Sequence, residues 1–261
     1  MNILDKIVRD KHVEVGLRKS LIPTKQLENS VLFERKSVSL ANKLRHSKTG
    51  IIAEHKRRSP SKSIINNSLN VYDVAKGYEN AGVCGMSVLT NGKYFGGSLD
   101  DLIIARASCN LPLLRKEFII DDYQILEAKA YGADVILLIA AILTRNEIKQ
   151  FSELAKSLNL DVLLEVHNEE ELHKSIIPSL DMLGVNNRNL KTFDVSLETS
   201  KSLSQLIPNE FIKVSESGIS SIEAIKQLQP YGYQGFLIGE NFMKTDNPGA
   251  SATAFIKSFE E

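Results

Sequence analysis

Glu54 and Lys56 stand two residues apart at the end of the apolar run that begins IIA, and in an extended chain that spacing puts both side chains on one face. Asn186 and Arg188 repeat the arrangement at the end of another run, while Lys116, Glu165 and Glu216 each close one of their own. Ammonium groups beside carboxylates can hold an anion, give a proton to an oxygen and take one back, which is general acid–base chemistry on a small charged substrate. Singly, such a charge can face a helix layer, reach solvent or pair with a neighbour at a rim. As a set they are harder to dispose of, because charges in a packed interior are costly unless paired or used.

Gly218 follows the run that carries Glu216, Gly239 follows a further run, and the chain after Gly239 reads as a short helix beginning near Glu240. Backbone amides after a glycine at the start of a helix bind phosphate, although glycine in such a loop is also ordinary turn chemistry. The segment RRSPSKS adds Ser59 and nearby cations, as a phosphate contact or simply as a turn.

Positioning these groups falls to eight short apolar runs, at 51–56, 86–90, 111–116, 133–140, 161–166, 182–187, 212–217 and 235–239. They start roughly 20 to 35 residues apart, enough for one strand and one helix each. Helix starts are signalled by Ser98 with Asp101, Thr144 with Glu147, Asn168 with Glu171 and Ser220 with Glu223, where a side-chain oxygen can accept from first-turn amides. YQILEAKAYGAD and RNEIKQFSELAKSLN carry apolar positions at three- and four-residue spacing. Eight such units without a break in composition, and no GxGxxG after the first strand, predict a closed (β/α)8 TIM barrel over a doubly wound sheet. Residues 1–48 form an N-terminal helical extension with helices near 2–19 and 32–46, covering the barrel bottom or flanking its mouth. No linker sets it apart, so residues 1–261 are expected to make one domain.

In such a barrel the loops after the strands form the active face, which is where all the charged residues above fall. The chain has 261 residues, 43% of them hydrophobic, and 32 basic against 32 acidic side chains, a balance unlike that of a nucleic-acid binder. The first twenty residues read as an amphipathic helix, with neither a signal peptide nor a membrane span. Cys84 and Cys109 form no CxxC pair and read as free thiols of a cytoplasmic protein; the five histidines show no metal-ligand spacing.

The segment IIAEHKRRSPSKS resembles the first-strand signature of the indole-3-glycerol-phosphate synthase family, and the likeness continues in order through YFGGSLDDL, LPLLRKEFIIDDYQI, LLEVHN, LGVNNRNLKTF, VSESGI and FLIGENFM. The resemblance implies closure of a carboxyphenylamino-deoxyribulose phosphate to an indole, with loss of carbon dioxide and water and without a cofactor. It implies that Lys116 is the acid that protonates the substrate carbonyl, that Lys56 holds the departing carboxylate and that Glu165 serves the dehydration. Glu54 then orients the lysines, Asn186 and Arg188 position the substrate, and Glu216 binds hydroxyls or supports a lysine. Ser59, Ser217, Gly218, Gly239 and the backbone of Glu240 make the phosphate pocket, with Ser217 also at the substrate. Phe95 either covers the anthranilate ring or packs in the core. A site lysine with cationic neighbours can have a lowered pKa.

The sequence departs from the family pattern at His55, where an apolar residue is expected and whose side chain should face the helix layer, and at Ser63, which replaces a glycine of the first loop. The partner implied is a phosphorylated small molecule, with no nucleic acid, membrane or obligatory protein partner. A different phosphosugar isomerase barrel explains the phosphate loops but uses another acid–base pair. A noncatalytic phosphate-binding barrel has no use for the full set of acids and bases.

Overall fold

The computed structural model describes residues 3–190 and 192–260. Eight parallel strands pair in chain order: β1 (Ile51–His55), β2 (Gly85–Leu89), β3 (Leu113–Lys116), β4 (Val135–Ile139), β5 (Asp161–Val166), β6 (Met182–Asn186), β7 (Ile212–Glu216) and β8 (Tyr233–Ile238). The sheet closes where β1 meets β8, with Ile52 opposite Leu237. Helices such as Val71–Ala81, Leu99–Ser108 and Arg145–Ser157 fill the connections and wrap the outside. Each strand is therefore covered on both faces, which is why β4 reads VILLI without alternation.

The two faces still differ in what they pack against. Ile51, Ala53, Met86, Val88, Ile136 and Leu138 join the cluster shared with the helices. Ile52, Leu114, Leu137, Leu163, Val214 and Leu237 fill the barrel interior. Two residues beyond Ile52, Leu114, Leu163, Val214 and Leu237 stand Glu54, Lys116, Glu165, Glu216 and Gly239. The period of two thus carries the interior face straight into the charged residues at the C-terminal mouth.

Helix starts follow the sequence signals at three of four places. Ser98 accepts from the Asp101 amide at 3.1 Å, Asn168 from Glu171 at 2.8 Å, and Thr144 with Glu147 makes a reciprocal capping box. The fourth cap is Ser221, not Ser220: it accepts from the Ala224 amide at 3.4 Å. Left-handed φ at Ser217 (66°) and Gly218 (78°) shapes the preceding loop, and it is the extended Ser221 that enters the helix.

The N-terminal region divides its work between the two ends of the barrel. Helix α1 (Ile3–Leu21) runs two residues beyond the predicted 2–19, whose first position lies outside the described residues. Ile3, Leu4 and Ile7 reach the barrel mouth, while Lys11, only 2% exposed, pairs with Glu14 at 2.8 Å and Glu117 at 3.1 Å. Helix α2 (Thr24–Glu28) was not expected, and the predicted helix over 32–46 shrinks to α3 (Leu40–Arg45). The reason lies in competing polar contacts ahead of α3. Val38 N–H donates to Asp134 at 2.8 Å and Lys129 donates to the Arg35 carbonyl at 2.9 Å, so helix formation begins only at the Ser39 cap. Leu40, Ala41 and Leu44 then close the barrel bottom by joining the interior cluster. Among the described residues no helix is long and apolar enough to cross a membrane.

Candidate active site

A cavity of about 400 Å³ opens at the C-terminal ends of the strands, lined by all thirteen candidate residues named from the sequence. Lys56 Nζ lies 2.7 Å from Glu54 Oε1, the contact expected of two groups on one face of β1. Glu54 is enclosed, with Ser87 Oγ donating to its other oxygen at 3.4 Å. Burial works against its charge, but Lys56 and Lys116 outweigh burial and hold the carboxyl below its ordinary range. Gly239 allows this packing: a Cβ there would sit 2.5 Å from Glu54 Oε1.

Lys116 occupies the centre. Its ammonium donates to Glu216 and lies 3.4 Å from Glu165, and Glu54 adds a third carboxylate nearby. Burial alone lowers a lysine's pKa, yet these three carboxylates reverse the direction and raise it. The lowered pKa considered for a site lysine therefore does not arise at Lys116, because its neighbours are anions and not cations.

Three carboxylates face two ammonium groups in this cluster, and the imbalance falls on Glu216. Burial pushes its carboxyl up to about 7, helped by Glu165 and Glu54 and opposed by Lys116. Its Oε1 is buried without a hydrogen-bond partner among the described residues. Gly184 makes room for it, since a Cβ at that position would meet Glu216 Oε1 at 2.6 Å. Glu165 stays below its ordinary range: burial raises it, while Lys116 and His167 lower it further than that. Asn186 Nδ2 donates to Glu165 Oε1 at 3.3 Å.

Arg188 belongs to the loop after β6, where the Arg188 amide donates to Asn186 Oδ1 at 3.0 Å and its guanidinium to the Phe193 carbonyl at 3.0 Å. An antiparallel bridge between Arg188 and Val195 folds that loop back, with Phe193 held at φ 63°. Asn187 braces it from below through Ser215 Oγ at 2.9 Å and the Ser217 carbonyl at 3.1 Å.

The remaining walls differ in character. Ser59, Ser217, Gly218, Gly239 and Glu240 all line the cavity, the last beginning the short helix Glu240–Met243. Lys62 of the first loop reaches across to Glu240 at 2.7 Å and keeps that carboxyl below its ordinary range. Ser59 and Lys62 exchange backbone hydrogen bonds at 2.8 and 3.0 Å, which fixes a tight turn just ahead of the exposed Ser63. Elsewhere the wall is apolar: Phe95 and Phe118 lie 6.0 Å apart, joined by Leu137, Ile139, Leu190 and the α1 residues Ile3, Leu4 and Ile7. Phe95 is half-buried and faces the cavity, so packing in the barrel core is not its environment.

Phe118 was missed from the sequence although it lies two residues past Lys116, where the strand alternation pointed to it. No local signal in the sequence announced that α1 supplies part of the wall. His55 shares the outward face of β1 and is buried there; burial and Arg57, against the pull of Asp101 and Glu54, push its pKa down to about 4.

A sequence profile of the family described as "Indole-3-glycerol phosphate synthase" matches residues 4–255. A protein of that name from Bacteroides thetaiotaomicron is 44% identical over 259 residues, covering 99% of each chain. One from Acinetobacter baumannii is 42% identical over 253 residues, 97% of this chain and 94% of the relative. Among solved structures, one described as "Native KDPGal structure" superposes with a TM-score of 0.60 over 82% of this chain and 96% of its own, at 14% identity, a likeness of fold alone.

Proposed function

The chain belongs to the indole-3-glycerol phosphate synthase family, a lyase of tryptophan biosynthesis, and we propose that the Lys116 cluster at its barrel mouth carries the ring closure. The reaction closes the carboxyphenylamino-deoxyribulose phosphate to indole-3-glycerol phosphate, with decarboxylation and dehydration. The observation that carries the assignment of roles is the seat of Lys116, a buried ammonium between Glu216 and Glu165 and within the same cavity as an aromatic wall.

In the proposed mechanism the anthranilate ring lies against Phe95 and Phe118, and the phosphate is held by Ser59, Ser217 and the amides at Gly218, Gly239 and Glu240. Fixing both ends of the substrate leaves its carbonyl near Lys116 and replaces a random encounter by a positioned one. The ring carbon that bears the carboxylate attacks the carbonyl carbon, and Lys116 gives its proton to the carbonyl oxygen as the new bond forms. Lys56, steadied by Glu54, holds the carboxylate until its bond to the ring breaks. Carbon dioxide leaves and the bonding pair restores the aromatic ring.

Dehydration then needs two proton transfers, one onto the departing hydroxyl and one away from the carbon that joins the new double bond. Glu165 serves these, oriented by Asn186. Arg188 positions the substrate from the loop after β6, and Glu216 keeps Lys116 in place. With the substrate carboxylate ionised, the products balance only if one proton is taken up in each turnover. The chemistry calls for no cofactor and no protein partner. We place it in the cytoplasm, in keeping with the free, buried thiols of Cys84 and Cys109, and as the work of one domain spanning the extension and the barrel.

The test is incubation of the purified protein with the carboxyphenylamino-deoxyribulose phosphate, following indole fluorescence and released carbon dioxide. Product formation that survives Lys116→Ala counts against the assigned roles; absence of product with the wild-type chain counts against the activity itself.

A further inference from the structure

His167 follows Glu165 by two residues and turns its ring toward the same carboxylate. Its Nε2 lies 3.4 Å from Glu165 Oε1, and its Nδ1 lies 3.1 Å from Glu171 Oε2. Glu171 is fixed in turn: Oε2 accepts the His167 backbone N–H at 2.8 Å and Oε1 accepts from Asn168 Nδ2 at 3.0 Å. The imidazole is 9% exposed, and its buried Nε2 has no hydrogen-bond partner among the described residues.

This row of three groups joins two spaces. Glu165 lines the catalytic cavity, whereas His167 and Glu171 line a second cavity of about 1010 Å³ that Arg9 and His12 of α1 also line. The reaction takes up one proton per turnover, and bound substrate fills the mouth through which water would otherwise deliver it. Lys116 gives up a proton during ring closure, and Glu165, 3.4 Å from its ammonium, is placed to return one.

We infer that His167 is a relay and positioning residue that carries the incoming proton to Glu165 from the second cavity. Starting from the Nε2–H tautomer, the ring accepts at Nδ1 a proton that Glu171 has taken up from solvent, is charged in passing, and gives its Nε2 proton to Glu165 Oε1. One proton enters and one is delivered, and the ring returns to the Nε2–H tautomer by turning over before the next turnover. The inference rests on Glu165 being the acid–base group proposed above. The surroundings favour a charged ring: burial opposes it, but Glu171, Glu165 and Glu216 outweigh burial and raise its proton affinity. Arg9, His12 and Arg188, with the acidic Asp5 and Asp194, also line the second cavity.

The experiment uses the full chain with His167→Ala and His167→Gln, assayed at saturating substrate with and without added imidazole. Loss of the relay should lower kcat by about a hundredfold, the low end of what proton transfer contributes, and leave KM within about twofold. Imidazole should restore the His167→Ala variant in a concentration-dependent way, because the second cavity gives it access, and should do nothing for His167→Gln. Wild-type kcat in both variants overturns the relay, and so does a loss in His167→Ala that imidazole leaves unrepaired. Glu165→Gln serves as the control: inactive with or without imidazole, it upholds the acid–base assignment whatever the His167 variants do. An active Glu165→Gln overturns that assignment and the relay with it.

Discussion

Replacing Gly184 with alanine puts a methyl carbon 2.6 Å from Glu216 Oε1 and 3.2 Å from Leu163 Cδ1. A carbon and an oxygen rest in contact at about 3.3 Å, so the carboxylate must retreat by roughly 0.7 Å. It is the flexible end of a side chain and can do so, but its other oxygen is the one that receives the Lys116 ammonium. A hydrogen bond between charged groups contributes about 1.5–3 kcal/mol, and about 1.4 kcal/mol corresponds to a factor of ten. Disturbing it should lower kcat by roughly ten- to a hundredfold, with KM little changed because none of the methyl's nearest neighbours, Glu216, Leu163 and Leu164, is placed in the phosphate or aromatic wall. Overpacking costs about 1–3 kcal/mol, so the unfolding midpoint should fall by only a few degrees. Steady-state kinetics by indole fluorescence, alongside a thermal melt, measures both. In a double-mutant cycle Gly184→Ala should add little to Glu216→Gln, since both act on one contact. A cooperatively folded Gly184→Ala enzyme with wild-type kcat would refute the proposed link between that space and the seat of Lys116.

Lys116→Ala should lower kcat by about 10²- to 10⁴-fold with the fold intact by circular dichroism; near-normal turnover would sink the assignment. Glu216, raised from 4.5 to about 7, binds more protons folded than unfolded across that window. Its contribution to stability is therefore complete below about pH 4.5 and is lost as pH rises through 7, amounting to roughly 3 kcal/mol. Urea unfolding should show that decline for the wild type and a flatter profile for Glu216→Gln; equal slopes would argue against a protonated Glu216. Gly218→Ala forces a left-handed φ of 78° on alanine and a contact of 2.6 Å with Val195 Cγ1. KM should rise at least tenfold with kcat largely kept, and an unchanged KM would take Gly218 out of the phosphate pocket.

Much of the barrel was legible because each strand is short and followed by its own helix, several of them side-chain capped, so local signals and global topology agree. The site was legible for a related reason: strand alternation that hides Ile52, Leu114 and Leu163 inside also delivers Glu54, Lys116 and Glu165 to the mouth. What sequence could not supply was mutual arrangement. The segment before α3 has helical periodicity, yet Asp134 and Lys129, distant in sequence, take its backbone groups. The sign of the Lys116 shift depends on which charges meet it across the barrel, and these come from β1, β5 and β7. His167 looked like an ordinary residue of LLEVHN until its two carboxylate neighbours were placed.

The Lys11–Glu117 pair gives the N-terminal helix a consequence for how this barrel can be modified. Glu117 is shared by Lys11, Thr90, Asn91 and the Phe118 amide, and it sits one residue from Lys116. Removal of one partner from a buried pair typically costs about 3–5 kcal/mol, a large part of a domain's stability. Trimmed to its eight repeats, the barrel would carry an unanswered negative charge directly behind the strand end that holds Lys116. Circular permutants and chimeric half-barrels built from this chain must therefore keep α1 or neutralise residue 117, because repeat symmetry alone does not delimit the unit that can be exchanged.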